Sequence, residues 1–63
     1  MTKVLLYLGE LDCISDLIDI VGENRANKAW CGKLNYFKDL SDGSVFGVSD
    51  YEADAIFDEF EVY

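Results

Sequence analysis

A short, continuous run of apolar residues near the start of the chain predicts its first β-strand. Residues 4–8 read VLLYL, are rich in strand-forming side chains, and are followed by Gly9. A run without polar alternation is typical of a strand that is covered on both faces or lies in the middle of a sheet. We therefore expect this strand to form the centre of the core.

Two later segments have the period of amphipathic helices. The first begins at a capping Asp12, places residues 13, 14, 17, 18 and 21 on one apolar face, and ends at Gly22. The second opens with Ser49 and Glu52, which have the spacing of a capping box, so its helix is predicted over residues 50 to about 60. Its apolar stripe consists of Ala53, Ile56, Phe57 and Phe60.

The polar segment over residues 23–33 predicts irregular backbone, because it contains Asn24, Asn27 and Gly32. It also carries three of the five basic residues. Trp30 is its large apolar residue. A role as a core plug or lid is favoured, since so small a domain needs its largest apolar side chain; the alternative is stacking on a base or another ligand.

A β-hairpin is predicted next. Residues 34–40 and 44–48 are strand-like, and residues 41–43 (SDG) have the composition of a hairpin turn. Adjacent Tyr36 and Phe37 must point to opposite sides of the sheet. We therefore expect one of these two, or Phe46 on the facing strand, to be partly exposed. Residues 60–63 predict a short last strand.

This order of elements predicts an α+β domain in which two helices cover one face of a mainly antiparallel sheet. The chain order β-α-β-β-α-β resembles a cut-down ferredoxin-like fold. Seven side chains lie on the inferred inner stripes. The predicted core is Leu6, Leu8, Leu17, Ile18, Val21, Ile56 and Phe57.

The length and hydrophobicity of the chain indicate one small acidic globular domain over residues 1–63. A domain of this size buries only about 60% of the surface that its unfolded chain exposes. Because 51% of the residues are hydrophobic, the chain is expected to fold despite its charge. Its stability as a monomer is expected to be marginal, and formation of a homodimer would increase it.

The sequence also bears on the compartment. Cys13 and Cys31 are too few for a disulfide scaffold, and no basic segment precedes an apolar run that could serve as a secretory signal. We expect reduced thiols in a cytoplasmic protein, in the host cell if the protein is phage-encoded. The longest apolar run is far shorter than the ~20 residues of a membrane span. The net charge of −8 of the chain opposes direct binding to anionic lipid or nucleic acid.

Residue types that serve catalysis and metal binding are scarce. The chain has no His, which removes the commonest general base and metal ligand. Two cysteines do not complete a zinc site, and no glycine-rich phosphate-loop motif is present. Residues 39–50 partly match a calcium loop, but Gly43 falls one position early, so a turn is favoured. We expect no enzymatic activity, no cofactor and no metal.

The acidic residues are distributed unevenly. Residues 1–38 contain five acidic and five basic residues, so residues 39–63, with eight acidic and no basic residues, account for the net charge of −8. Such asymmetry indicates a cationic partner. The alternative, a surface that serves only solubility, is equally favoured when an acidic helix is considered alone.

Both predicted helices carry carboxylates in rows. Asp12, Asp16 and Asp19 follow one edge of the first helix, and Asp50, Asp54 and Asp58 follow one edge of the second. Like charges at this spacing cost a few tenths of a kcal/mol per pair, so folding alone does not require them. The predicted partner-binding residues are Asp12, Asp16, Asp19, Asp50, Tyr51, Glu52, Asp54, Asp58, Glu59 and Glu61.

These features favour a stoichiometric inhibitor that occupies the cationic site of a nucleic-acid-binding protein or complex. Carboxylates spaced about 6 Å apart along a helix approximate the charge of a phosphate backbone. In size and charge the chain resembles small acidic proteins of phages and mobile elements, such as anti-CRISPR, anti-restriction and polymerase- or glycosylase-inhibiting proteins. The resemblance is one of general character and assigns no functional residue.

A second hypothesis is an adaptor or assembly subunit that binds a protein partner through an exposed aromatic patch. Tyr or Phe side chains of the hairpin, together with Tyr51 and Tyr63, would form this patch, and the acidic residues would serve solubility alone. A third hypothesis, a small enzyme, requires a deep cleft, which a domain of this size rarely encloses.

Overall fold

The computed structural model describes residues 3–63. Its elements are β1 (Val4–Leu11), α1 (Ile14–Val21), α2 (Glu23–Ala29), β2 (Leu34–Asp39), β3 (Val45–Val48), α3 (Asp50–Glu59) and β4 (Glu61–Val62). The four strands form one sheet in the order β3-β2-β1-β4. Two neighbouring pairs are antiparallel, whereas β1 and β4 are parallel. The predicted α+β class is confirmed, and the mainly antiparallel sheet has one parallel pairing.

Strand β1 lies in the interior of the sheet, as predicted, but it continues beyond Gly9 to Leu11. Its register with β2 shifts between Tyr7 and Gly9, which leaves Leu8 as the extra residue of a β-bulge. Gly9 has a φ of 107°, a conformation that glycine adopts without strain. The bulge moves the alternation of side chains by one position. Leu8 and Leu11 therefore pack into the same hydrophobic cluster.

Helices cover both faces of the sheet, and the prediction that they cover one face is wrong. Phe37 packs in a cluster with Ala53 of α3. Its neighbour Tyr36 packs in a second cluster with Ala26 of α2 and Leu17 of α1. Since consecutive residues of a strand point to opposite faces, α3 lies on one face and the α1–α2 pair on the other. The domain therefore has three layers.

This arrangement buries both central aromatic residues of the hairpin. Tyr36 and Phe37 are fully buried, and among the three residues expected to include an exposed ring only Phe46 keeps some exposure, being half-buried. Trp30 stacks on Tyr36 with ring centroids 5.2 Å apart and an angle of 4° between the planes. Trp30 is half-buried and packs against the buried cluster, which confirms its predicted role as a core plug or lid. A Cβ added at Gly47 would lie 2.6 Å from the Tyr36 ring, so the ring occupies the space above this glycine.

Helix α2 occupies part of the segment that was predicted to be irregular. Gly22 ends α1, as predicted, and α2 begins at the next residue. The sequence of α2, ENRANKA, has no apolar stripe, and its buried side chain is Ala26. Two helices separate β1 from β2, and β2 pairs with β1 as an antiparallel neighbour. This direct pairing differs from the split β-α-β arrangement of the ferredoxin-like prediction.

The predicted core is confirmed in part. Leu17 is fully buried, and four others are half-buried against the two clusters: Leu8, Ile18, Val21 and Ile56. Leu6 is half-buried, whereas Phe57 is 45% exposed and does not belong to the buried core. The buried apolar residues absent from the predicted core are Leu5, Ala26, Tyr36, Phe37 and Ala53. Of these, Ala53 was already placed on the apolar stripe of the second predicted helix. Within residues 3–63, no helix has both the length and the apolar character needed to cross a membrane.

Candidate partner-binding surface

Helix α3 presents one side to the sheet and the opposite side to solvent. Its N-cap is Ser49, whose Oγ accepts a hydrogen bond from the Glu52 backbone N–H at 3.4 Å, as the capping-box spacing predicts. Ala53 and Ile56 pack inward. At 100° per residue, Tyr51 then points almost directly away from the sheet, and its side chain is 86% exposed.

The acidic residues of α3 surround this tyrosine. We define the acidic α3 face as the exposed residues Tyr51, Glu52, Asp54, Asp58 and Glu59. The ion pairs found within residues 3–63 join Lys3 to Asp39 and Lys33 to Asp12. The carboxylates of the acidic α3 face therefore have no basic partner in the described chain.

Asp50 differs from the other acidic residues of α3, because it is bonded to the sheet. Its Oδ1 accepts a hydrogen bond from Asn35 Nδ2 at 2.6 Å. Asn35 is buried, and its Oδ1 accepts a hydrogen bond from the Tyr7 hydroxyl at 2.7 Å. This chain of bonds fixes the start of α3 to β1 and β2. The sequence pattern placed Asp50 in the acidic row, but in the structure its carboxylate attaches the helix to the sheet.

Glu61 lies beyond the end of α3, in β4, and is exposed. Its Oε1 accepts a hydrogen bond from the Tyr63 hydroxyl at 3.1 Å. This bond, together with the negative charge of Glu61, raises the pKa of Tyr63. Because β4 is an edge strand of the sheet and directly follows α3, Glu61 extends the negative charge of the acidic α3 face toward that edge.

The acidic row of α1 lies on the other face of the sheet. Asp12 precedes the helix, whose N-cap is Cys13 and not Asp12 as predicted. Its carboxylate pairs with Lys33 at 3.5 Å. Asp16 accepts a hydrogen bond from the Cys13 thiol at 3.5 Å, and Asp19 is exposed. The two predicted rows are thus separated by the sheet and do not form one surface.

Two further acidic residues hold the hairpin turn together. Asp39 is 2% exposed, and its carboxylate accepts hydrogen bonds from the Ser41 hydroxyl at 2.6 Å and the Ser41 N–H at 2.9 Å, with Lys3 at 3.1 Å. The Ser41 bonds, followed by Lys3, lower the pKa of Asp39 to about 2. Asp42 accepts a hydrogen bond from the Ser44 N–H at 2.8 Å, which lowers its pKa. The D-x-S spacing of both pairs is the signal that was missed.

The described residues contain no cluster of three or more potential metal ligands. Cys13 and Cys31 are both free, as predicted, and both are exposed, although the helical period had placed Cys13 on the apolar face of the first helix. No protein family, no curated protein and no solved structure matches this chain.

Proposed function

We propose that this protein binds, through the acidic α3 face, a cationic site that normally holds nucleic acid, and so inhibits its partner stoichiometrically. The observation that carries this proposal is the set of exposed α3 carboxylates that have no basic partner among residues 3–63. Repulsion between these charges has no benefit for folding. A positively charged site on another protein would relieve it, and the negative field would accelerate the encounter.

The charge density of α3 supports mimicry of a nucleic acid strand. Besides the sheet-bound Asp50, four of its ten residues are acidic. A helix of this length spans about 15 Å, so these four carboxylates amount to roughly one charge per 4 Å of its axis. A single DNA strand carries one phosphate per about 3.4 Å. A groove lined with Lys and Arg that tracks one strand would therefore meet a similar density of negative charge.

The separation of the two acidic rows limits the proposal to one of them. Because α1 and α3 lie on opposite faces of the sheet, a flat cationic surface contacts one row at a time. Asp12 is already paired with Lys33. We therefore assign the contact to α3, with Glu61 at its margin.

The proposal also includes a compartment. We expect the protein to act in the cytoplasm of a host cell, where the partner would be found.

The experiment compares two variants with the same change of charge. One is Asp54→Asn/Asp58→Asn/Glu59→Gln on α3, and the matched control is Asp12→Asn/Asp16→Asn/Asp19→Asn on the α1 side. Each variant is immobilised and used to capture proteins from host lysate, which are eluted with a salt gradient. The α3 variant should release the captured partner at much lower salt than the wild type and the α1 variant do.

Mimicry is then tested with the purified partner. The wild-type protein should displace a single-stranded oligonucleotide from its partner with 1:1 stoichiometry, and the salt dependence of binding should be steep. The α3 variant should lose at least about tenfold in affinity, assuming that each of the three lost charges contributes about 0.5 kcal/mol or more. Equal losses in both variants, or binding that leaves the oligonucleotide in place, would contradict the proposal.

Exposed aromatic side chains favour a second candidate, the adaptor. Tyr51 and Tyr63 are 86% and 66% exposed, although the hairpin residues Tyr36 and Phe37 are buried and cannot contribute. An adaptor contact would survive high salt and would be lost in Tyr51→Ala. The contact of a charge mimic would be lost at high salt and would be largely retained in Tyr51→Ala, because it is mainly electrostatic.

A further inference from the structure

A groove on the α1–α2 side of the molecule combines positive charge with an apolar floor. It lies between α2 and the turn that joins β2 to β3, and its volume is about 360 Å³. Arg25 and Lys28 lie on one side of it, and Asp42 lies on the other. Half-buried Ala29 and Val45 contribute the apolar surface. The volume lies within the range of small-molecule sites.

The two cations of this groove are available to a ligand. Arg25 is held over the turn, where its guanidinium lies 3.5 Å from the position that a Cβ at Gly43 would take. Within residues 3–63, neither Arg25 nor Lys28 forms an ion pair, since the basic residues paired with carboxylates are Lys3 and Lys33. The planar guanidinium presents several N–H donors in a geometry that matches a carboxylate.

The opposite side of the groove adds selectivity. The Asp42 carboxylate accepts a hydrogen bond from the Ser44 N–H, which lowers its pKa. Like an ordinary aspartate, it is negatively charged at neutral pH. Its negative charge opposes a dianion such as phosphate, while its free oxygen can accept a hydrogen bond from a ligand N–H. The preferred ligand therefore has one negative charge, an apolar body and an N–H donor.

We propose that this groove binds a small organic monocarboxylate with an apolar side chain, such as an acylated amino acid. The carboxylate lies against Arg25 and Lys28, and the side chain lies against Ala29 and Val45. The groove is on the opposite face of the sheet from the acidic α3 face, so the site does not depend on the function proposed above. Both surfaces can be occupied in the same molecule.

The test uses N-acetyl-leucine as the probe and backbone amide NMR of the full-length protein at constant ionic strength. Saturable shifts at Ala29, Gly43 and Ser44 are expected. N-acetyl-leucinamide, which lacks the carboxylate, should produce no saturable shift, and inorganic phosphate should bind more weakly than N-acetyl-leucine. Tighter binding of phosphate, saturable binding of the amide, or shifts that do not saturate would overturn the proposal.

Variants localise the binding. Arg25→Gln should weaken binding of N-acetyl-leucine by about tenfold, the expected effect of losing a bidentate charge-assisted contact. The matched control is Lys33→Gln, which makes the same change of charge outside the groove. Arg25 and Lys33 are both exposed, so both variants should retain the wild-type spectrum in the absence of the probe. An equal loss of affinity in the two variants would mean that the shifts report only the overall charge, and the site would be rejected.

Discussion

Asp39 is buried at the end of β2, and its contacts favour the carboxylate form. Ser41 donates two hydrogen bonds to one oxygen, and Lys3 lies 3.1 Å from the other. These contacts close the hairpin turn and connect it to the residue that precedes β1. A single side chain thus joins the turn to the central strand, although the sequence presents it only as the first residue of an acidic segment.

The first prediction concerns the pH dependence of folding. Because the pKa of Asp39 is about 2 in the folded protein and 3.8 in its ordinary state, this residue stabilises the fold fully above pH 3.8. The stabilisation is lost as the pH falls toward 2. Urea denaturation across this range should show that loss in the wild type and a smaller one in Asp39→Asn. Asp54→Asn is the control and should retain the wild-type slope.

The second prediction tests the contact between Tyr36 and Gly47. Gly47→Ala would place a methyl group 2.6 Å from the Tyr36 ring, so the ring must move, at a cost of about 1 to 3 kcal/mol. Denaturant unfolding measures this loss. In a Tyr36→Leu background the same change should cost much less, because the ring has been removed. An equal cost in both backgrounds would show that the loss has another origin.

At the scale of elements, the orientation of α3 decides which of its residues stabilise the fold. The helical period correctly placed Ala53 and Ile56 on the inner side, and Ser49 correctly marked its start. Phe57 lies at the margin of this side. Its ring contacts Tyr7 and Phe37 edge-on, with centroids 5.2 and 5.5 Å away, but 45% of the residue is exposed.

The third prediction follows from this partial burial. Phe57→Ala should lower the free energy of unfolding by about 1 to 2 kcal/mol, in proportion to the area that it buries. Phe37→Ala, which removes a fully buried ring, should cost about 3 to 5 kcal/mol. Both losses are measurable by chemical denaturation. If the two variants were equally destabilised, Phe57 would belong to the core after all.

The fourth prediction separates a structural acidic residue from an unpaired one. Asp50→Ala leaves buried Asn35 without its acceptor and should cost about 1 to 3 kcal/mol. Asp54→Ala is the control on the same helix. It should leave stability nearly unchanged or raise it slightly, because a like-charge neighbour is removed. Thermal unfolding of the two variants at equal ionic strength provides the comparison.

Helix α2 shows where the sequence pattern fails. A helix is normally recognised from its apolar stripe, but α2 buries Ala26, and its other side chains are polar apart from Ala29. Such a segment lacks the apolar period by which amphipathic helices are recognised, and the packing of Ala26 beside Leu17 and Tyr36 stabilises it. Gly22 indicated the end of α1 correctly. It carried no information that a second helix would begin directly after it.

At the scale of the whole molecule, the three-layer arrangement determines which acidic residues can act together. Exposure of the carboxylates was predictable, because acidic residues are rarely buried. Their grouping was not, since it depends on which face of the sheet each helix covers. The adjacent aromatic pair Tyr36 and Phe37 contained the relevant information. Two large neighbouring side chains in one strand are both buried when both faces are covered.

The fifth prediction tests whether the two helical layers, one on each face of the sheet, contribute independently to the free energy of unfolding. Ala26→Gly and Ala53→Gly each weaken one helix, by about 1 kcal/mol, on opposite faces of the sheet. The double variant should lose the sum of the two single losses to within about 0.5 kcal/mol. Denaturant unfolding of the four proteins in the cycle gives the coupling energy. A coupling above about 1 kcal/mol would show that the sheet transmits strain between its faces.

The parallel pairing of β1 with β4 also has a consequence for the order of folding. Val4 pairs with Glu61 and Leu5 with Val62, so almost the whole described chain forms the loop that this contact closes. The β2–β3 hairpin closes a loop of only a few residues and is entropically favoured as an early structure. We therefore expect strand β4, with two paired residues and a costly closure, to be the last to join the sheet and the first to leave it.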